Sequence, residues 1–206
     1  MPPPGAGGST FARFPPPADG KGTPTWVWIV VAVVGTLALA GVVGALAGGD
    51  TGADGPKDER AFISIVKDGQ DAAGNEVAVH KASEKRAEDL CGALPADLKV
   101  TDWVGTIDDV DTTSGGDSGV LNVNIAEGVN VTTWNNGLSD IGDHTLIDPD
   151  SEVYDALAEL DEGATITFSG EFVDDDEDCV SEQSLFETNG MKHPAFVFRF
   201  SAVQPK

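Results

Sequence analysis

The longest apolar run of the chain covers residues 26–49 and contains no charged side chain. A helix of this length extends about 36 Å, which is enough to cross a hydrocarbon core of about 30 Å. Trp26 and Trp28 open the run, and indole rings favour the membrane interface. The pattern therefore predicts one transmembrane helix. A cleaved signal peptide, whose apolar region is roughly 7–15 residues long, is the alternative.

The charged residues that flank this run indicate its orientation. Arg13 and Lys21 precede it with only Asp19 as an acid, whereas acidic residues predominate directly after it. Positively charged flanks stay preferentially in the cytoplasm. We therefore expect a single-pass signal-anchor protein of the cell membrane, with a cytoplasmic N-terminus and an extracytoplasmic C-terminal domain.

Small residues recur at every fourth position of the predicted anchor, at Thr36, Ala40, Gly44 and Gly48. This spacing allows two membrane helices to approach closely, so Ala40, Gly44 and Gly48 are candidate packing residues of a homodimer. The alternative is that the spacing reflects only the abundance of Gly and Ala in membrane helices.

Composition divides the rest of the chain. Residues 1–25 are rich in Pro and Gly and are expected to form a disordered tail. Residues 50–57 form a flexible linker, and 58–94 a helical lead-in. From residue 97 the apolar period changes to two, which predicts a β-rich domain over 97–203.

Two short helices are predicted within the lead-in. The first covers 58–67 and ends before Gly69, and the second covers 76–91 with Asn75 as its N-cap. The apolar face of the second helix is weak, so we expect this helix to lean on the β-rich domain.

Alternation in the β-rich domain predicts five strands, with one helix between the third and the fourth. Gly105 in the middle of the first strand indicates a bend or bulge. The 174–193 segment is predicted to be an acidic loop. The predicted strands and helix, in order, are 98–110, 121–125, 129–134, helix 152–160, 165–173 and 195–203. The predicted fold class is thus a single transmembrane helix followed by an α+β, mainly-β ectodomain.

This order of elements resembles the OB-fold, a five-stranded Greek-key barrel with a helix between strands three and four. The stretches WVGTI (103–107), TLIDPDSEVYDAL (145–157), ITFSGEF (166–172) and FVFRFS (196–201) are similar to those of poorly characterised bacterial extracytoplasmic OB-like domains. The resemblance implies a ligand-binding face on strands two and three and their flanking loops. Carried over by position, that face comprises 111–119, Asn122, Asn124, Thr132, Trp134 and 174–193.

Charge narrows the choice of partner. The chain has 12 Lys and Arg against 35 Asp and Glu, a formal net charge of -23, and no Lys or Arg between Lys99 and Lys192. Proteins bind nucleic acid through cations that displace counterions from phosphates, and OB-folds that do so have a basic face. We therefore expect no nucleic-acid partner. The acidic surface serves solubility, or it attracts a cationic partner or a divalent metal.

The chain contains two cysteines, Cys91 and Cys179, both beyond the apolar run. An extracytoplasmic compartment permits a disulfide between them, and closing so long a loop stabilises a domain by up to roughly 4.5 kcal/mol. Two buried free thiols are the alternative.

Trp134 and the amides beside it are the candidate ligand contacts. An aromatic ring next to Asn135 and Asn136, with Asn122 and Asn124 on the neighbouring strand, suits a sugar or peptide surface. The alternative places Trp134, like Trp103, in the core of the barrel.

Two motifs resemble known functional sites but differ from them in spacing or context. Asp174, Asp175, Asp176 and Asp178 offer hard oxygen ligands for Ca²⁺, but their spacing differs from that of an EF-hand loop. GDSG at 116–119 resembles the nucleophile motif of trypsin-like proteases, but a tight turn explains it fully. We expect no metal, no cofactor and no enzyme, with a hydrolase as a remote alternative.

The sequence as a whole favours a membrane-anchored extracytoplasmic binding module. Its partners would be membrane lipid through the anchor and an unknown protein or envelope component. The Pro-rich tail and the anchor composition favour a high-GC Gram-positive bacterium or its phage, where superinfection exclusion is one role for this architecture. The alternative is a structural or assembly subunit that oligomerises through the anchor.

Overall fold

The structure is a computed structural model that describes residues 54–71 and 74–206. The predicted tail, the predicted transmembrane helix with Ala40, Gly44 and Gly48, and the first half of the predicted linker lie outside these residues. Within the described ranges, no helix is long and apolar enough to cross a membrane.

The described residues form four helices and seven strands. In chain order they are α1 (Lys57–Asp71), α2 (Glu76–Ala93), β1 (Lys99–Thr112), β2 (Gly119–Ala126), β3 (Val129–Thr132), α3 (Glu152–Leu157), β4 (Thr165–Phe172), β5 (Asp174–Asp175), β6 (Cys179–Val180), α4 (Glu187–Lys192) and β7 (Ala195–Pro205).

Five of the strands form one mixed sheet, in the order β1-β2-β3-β7-β4. All neighbours are antiparallel except β3 and β7, which run parallel. β4 also pairs with β1, so the sheet closes on itself as a barrel. The prediction of an α+β domain with five main strands is confirmed.

Alternating side chains of these strands fill the interior. On β2, Leu121, Val123 and Ile125 are fully buried, as the period of two predicted. On β7, Phe196 and Phe198 are fully buried, and both belong to a network of aromatic contacts. The core is therefore dominated by aliphatic side chains on one side and aromatic rings on the other.

β1 is irregular, as Gly105 indicated, but its register shifts lie on either side of Gly105. Its register with β4 shifts between Val100 and Trp103, and its register with β2 shifts between Ile107 and Asp109. At Gly105 itself, an added Cβ would overlap the Val123 side chain. Glycine is needed here because two strands approach closely.

The lead-in shares its core with the sheet. Phe62 of α1 lies with its ring centroid 5.1 Å from Phe172, 4.8 Å from Phe196 and 5.2 Å from Trp103. Helices α1 and α2 and the sheet all belong to one compact unit. The aromatic contacts make α1 a cover over the sheet interior.

Two acidic side chains at the start of α1 fasten it to β1. Asp58 Oδ2 accepts a hydrogen bond from Trp103 Nε1 at 2.9 Å, and Glu59 Oε2 accepts one from Val104 N at 2.9 Å. Glu59 is fully buried, and its Oε1 has no hydrogen-bond partner among residues 54–71 and 74–206. Desolvation raises the pKa of Glu59 to about 8, against the opposing effect of the Val104 hydrogen bond.

The predicted ends of several elements need correction. α1 continues through Gly69 to Asp71, and a Cβ at Gly69 would lie 3.2 Å from Met191 Cε. α2 ends at Ala93, α3 ends at Leu157, and β3 ends at Thr132. Asn75 does cap α2, and its side chain accepts from Ala78 N at 3.1 Å.

The 174–193 segment is more ordered than the predicted acidic loop. β5 and β6 form a two-stranded ribbon, and α4 follows. Residues 181–183 run along β7, where Val197 N donates to Ser181 O at 2.8 Å and Gln183 N donates to Ala195 O at 2.9 Å. The local sequence is polar and acidic, so this order comes from contacts with the rest of the domain.

Candidate functional site

The asparagines of β2 face outward, as predicted, since they alternate with core residues. Both are partly buried. Asn122 Nδ2 donates to Asp108 Oδ2 at 3.0 Å, and Asn124 Nδ2 donates to Asn130 Oδ1 at 2.9 Å. Asn122 also stands opposite Thr132 in the register of β2 and β3. Together these side chains form a polar row across β1, β2 and β3.

One atom of this row is an unused acceptor. Asn122 Oδ1 is buried and has no hydrogen-bond partner among the described residues. Buried polar atoms are almost always paired, so this oxygen has the capacity to accept one further hydrogen bond.

Trp134 lies just beyond β3, at the start of the loop that leads to α3. Its Nε1 donates to Asp143 Oδ2 at 2.7 Å, and its backbone N donates to Thr145 Oγ1 at 2.8 Å. The side chain is partly buried, whereas Trp103 is fully buried in the core. Trp134 is thus held by the loop and lies outside the core cluster.

Asn135 and Asn136 are exposed, but Asn136 has a local task. Its Oδ1 accepts from Leu138 N and from Ser139 N, each at 3.0 Å, which closes a turn. The turn presents Leu138 and Ile141, which are 80% and 74% exposed. The loop therefore offers apolar as well as amide contacts.

Two hydrogen bonds join the residue that follows β3 to β2. Thr133 N donates to Leu121 O at 3.0 Å, and Leu121 N donates to Thr133 Oγ1 at 3.2 Å. Trp134 and Asn122 each follow one of these two paired residues in the chain. Because β2 and β3 are antiparallel, Asn122 and Trp134 continue from this pair in opposite directions, with Asn122 opposite Thr132.

The candidate Ca²⁺ ligands are organised as a turn. Asp174 and Asp175 form β5, and Asp175 Oδ1 accepts from Glu177 N at 2.8 Å and from Asp178 N at 2.9 Å. Asp176, like the other acids of this turn, is exposed. Across the described residues, no group of three or more acids, histidines or cysteines is arranged to hold a metal ion.

The protease-like GDSG motif forms the connection between β1 and β2. Thr113 N donates to Ser118 O at 2.9 Å across this connection, and Gly116 has a positive φ of 71°. His80, the histidine upstream of the motif, lies on α2 and contacts Glu187 of α4. The structure gives the motif a turn geometry.

The disulfide between Cys91 and Cys179 is formed, with Cα atoms 5.6 Å apart. It joins the last turns of α2 to β6. The prediction of a disulfide is therefore confirmed, and the bond attaches the 174–193 segment to the lead-in.

A groove that the sequence did not reveal lies between α2 and residues 177–190; we call it the α2 groove. Its volume is about 640 Å³. It is lined by His80, Ser83, Glu84, Arg86, Glu177, Asp178, Glu182, Ser184, Leu185, Phe186, Glu187 and Gly190.

A buried ion pair crosses the groove. Arg86 Nη2 contacts Glu182 Oε1, and the two side chains are only 6% and 11% exposed. Arg86 also lies over the Phe196 ring, 5.7 Å from its centroid, and donates to Gly190 O at 3.4 Å. Burial raises the pKa of Glu182 to about 7, and the charge of Arg86 opposes this shift.

The rim of the groove is both acidic and apolar. Leu185 and Phe186 are 93% and 75% exposed. His80 Nδ1 lies 3.0 Å from Glu187 Oε1, and this hydrogen bond, with the charges of Glu187 and Glu84, raises the pKa of His80. One sequence signal pointed here: Arg86 shares a helix face with the buried Val79 and Leu90, and a cation on a buried face needs an acidic partner.

Comparison of the chain with protein-family models, with curated proteins and with solved structures finds no match.

Proposed function

We propose that the protein is a single-pass, membrane-anchored binding module whose folded domain lies outside the cytoplasm. The observation that carries this proposal is the Cys91–Cys179 disulfide, in a domain that directly follows the uncharged run 26–49. Disulfides persist in oxidising compartments and are rare in the cytosol. An apolar run that crosses the membrane delivers the cysteines to such a compartment.

The proposed fold is OB-like. Support comes from five strands in a closed mixed sheet and from α3, which lies between β3 and β4. OB-folds bind ligands on the face of strands two and three and the adjoining loops. In this chain that region holds the polar row with Asn122 and Asn124 and the Trp134 loop, so the proposed ligand is a protein or another envelope component with hydrogen-bonding and apolar groups.

Fractionation and thiol alkylation of the full-length protein test this proposal. We expect the chain in the membrane fraction, with a C-terminal tag open to protease on intact cells, and thiols that react only after reduction. A Cys91→Ser variant is the control, because it leaves Cys179 reactive without reductant. Recovery of the wild-type chain in the soluble cytosol with both thiols reactive would contradict the location and the binding role together.

A binding role for the Trp134 loop predicts a specific loss. We expect Trp134→Ala to lower cross-linking of the full-length protein to its envelope partner about tenfold, because an aromatic anchor contributes a large share of binding energy. Trp134→Phe keeps the ring and should retain most of the cross-linking. Equal cross-linking by wild type and both variants, with the fold intact by circular dichroism, would remove Trp134 from the proposed site.

The small-residue spacing at Ala40, Gly44 and Gly48 favours a second role, in which the anchor assembles oligomers. Gly44→Leu separates the two roles, because a large side chain blocks close helix approach. Loss of oligomers in membranes with unchanged partner capture supports assembly as a distinct property. Unchanged oligomeric state removes it.

A further inference from the structure

The walls of the α2 groove are fixed by contacts within the domain. One wall is α2, and the other is held by the Cys91–Cys179 disulfide, the Arg86–Glu182 ion pair and the hydrogen bonds of residues 181–183 along β7. Its volume of about 640 Å³ is within the range of ligand pockets. The groove is thus open without rearrangement of the fold.

The groove has an excess of negative charge. Its ionisable lining is His80, Arg86 and the carboxylates of Glu84, Glu177, Asp178, Glu182 and Glu187. Arg86 is directed at Glu182 and the Gly190 carbonyl, and His80 at Glu84 and Glu187. In the described part of the chain, no cation pairs with Glu177 or Asp178. Concave walls focus this field and attract cations.

Two apolar side chains interrupt the acidic rim. Leu185 and Phe186 are adjacent and largely exposed. They are presented by an ordered turn, in which Ser184 Oγ donates to Phe186 O at 3.0 Å and Asn189 Nδ2 donates to Ser184 Oγ at 3.2 Å. Adjacent exposed aromatic and aliphatic side chains are typical of interaction surfaces.

We propose that the α2 groove binds a cationic amphipathic segment of a partner protein, in which Lys or Arg lies beside an apolar residue. The cations would meet the carboxylates of Glu177 and Asp178, and the apolar side chain would pack on Leu185 and Phe186. Phosphate-bearing partners would be repelled by the same carboxylates. This inference rests on the proposed binding role and names the chemistry of its partner.

Matched synthetic peptides of equal length test the inference on the full-length protein in detergent. The probes are a Lys–Leu peptide, a Gln–Leu peptide that lacks charge, a Lys–Ser peptide that lacks apolar groups, and a Glu–Leu peptide. Fluorescence anisotropy should give the highest affinity for the Lys–Leu peptide. If the Gln–Leu or the Lys–Ser peptide binds as tightly as the Lys–Leu peptide, the inference is overturned.

Paired variants distinguish binding in the groove from non-specific attraction of a cationic peptide by the net charge of -23. Glu177→Gln/Asp178→Asn should lower the affinity for the Lys–Leu peptide about fivefold, since each exposed ion pair contributes little. The control, Asp161→Asn/Glu162→Gln, makes the same charge change at exposed positions outside the groove lining. Equal losses in both variants would assign the binding to net charge and overturn the inference.

The apolar contact has its own matched pair. Leu185→Ser/Phe186→Ser should lower affinity about tenfold, whereas Val77→Ser, at an exposed apolar position outside the groove lining, should leave it unchanged. If neither groove variant lowers peptide affinity, while the protein is still anchored, disulfide-bonded and able to capture a partner, only the groove proposal is refuted. A cytosolic, reduced protein refutes the proposed function itself.

Discussion

At the scale of single residues, Glu59 links the fold to pH. The carboxyl is fully buried; one oxygen accepts a hydrogen bond from Val104 N, and the other has no hydrogen-bond partner in the described part of the chain. Its pKa is raised from 4.5 to about 8 in the folded protein. Between these two values the folded state binds a proton that the unfolded state has released. The contribution of Glu59 to stability is therefore fully present below about pH 4.5 and is lost as the pH rises through 8.

Glu59→Gln tests this linkage. We expect wild type to lose on the order of 5 kcal/mol of unfolding free energy between about pH 4.5 and 8 from this group, at 1.36 kcal/mol per pKa unit, and the variant to lose much less. Urea denaturation across this pH range measures the difference. An exposed change, Glu162→Gln, should keep the wild-type slope. Parallel slopes for wild type and Glu59→Gln would show that Glu59 ionises normally.

At the scale of elements, contacts between α2 and the 174–193 segment organise the surface. The disulfide, the Arg86–Glu182 pair and the hydrogen bond between His80 and Glu187 all join these two parts. Each contact bridges a large sequence separation. The groove between the two parts therefore exists only in the folded domain.

The buried pair predicts a non-additive stability effect. Arg86→Met should cost about 3–5 kcal/mol, because it leaves the Glu182 carboxylate buried without its cation. Arg86→Met/Glu182→Leu should recover most of that loss, since two apolar side chains can pack where the ion pair was. Urea denaturation above about pH 7, where Glu182 is ionised, measures both variants. A double variant as unstable as Arg86→Met would contradict the expected coupling.

The disulfide predicts a combined effect on stability and binding. Cys91→Ser/Cys179→Ser should lower the unfolding free energy by about 2–4 kcal/mol, since a long loop is no longer closed in the unfolded chain. It should also weaken binding of the Lys–Leu peptide, because β6 is released from α2. Circular dichroism should still report the sheet. Unchanged peptide affinity in the variant would show that the groove keeps its shape without the bond.

At the scale of the whole molecule, charge decides the class of partner. The net charge is -23, and the stretch from Lys99 to Lys192 has no cation between its ends. The described domain uses Arg86 and Arg199 for internal contacts, with Glu182 and with the Asp143 carbonyl. These two cations are therefore engaged within the domain.

We therefore expect no nucleic-acid binding even at low salt, where electrostatic attraction is strongest. We expect the full-length protein not to retard single-stranded DNA in a gel at about 20 mM salt, because phosphate binding depends on counterion release by cations. A basic single-strand-binding protein serves as the positive control. Retardation that weakens as salt increases would contradict the expected exclusion.

Local chemistry predicted much of the domain. Leu121, Val123 and Ile125 alternate with polar residues, and alternation alone identifies a strand with one buried face. Asn75 caps a helix because its side chain accepts a hydrogen bond from the nearby Ala78 N–H group. With two cysteines in the chain, only one intramolecular pairing exists. These features depend on neighbours in sequence or on simple counting.

The sequence by itself determined the uncharged run 26–49, the acidic surface, the order of the five main strands and the outward direction of the β2 amides. Tertiary structure decided the course of α1 past Gly69, the ribbon and helix within 174–193, and the α2 groove. The physical reason is the sequence separation over which each interaction acts. A hydrophobic period or a helix cap acts over a few residues, whereas Arg86 meets Glu182 across 96 positions and His80 meets Glu187 across 107. Only folding brings such groups together.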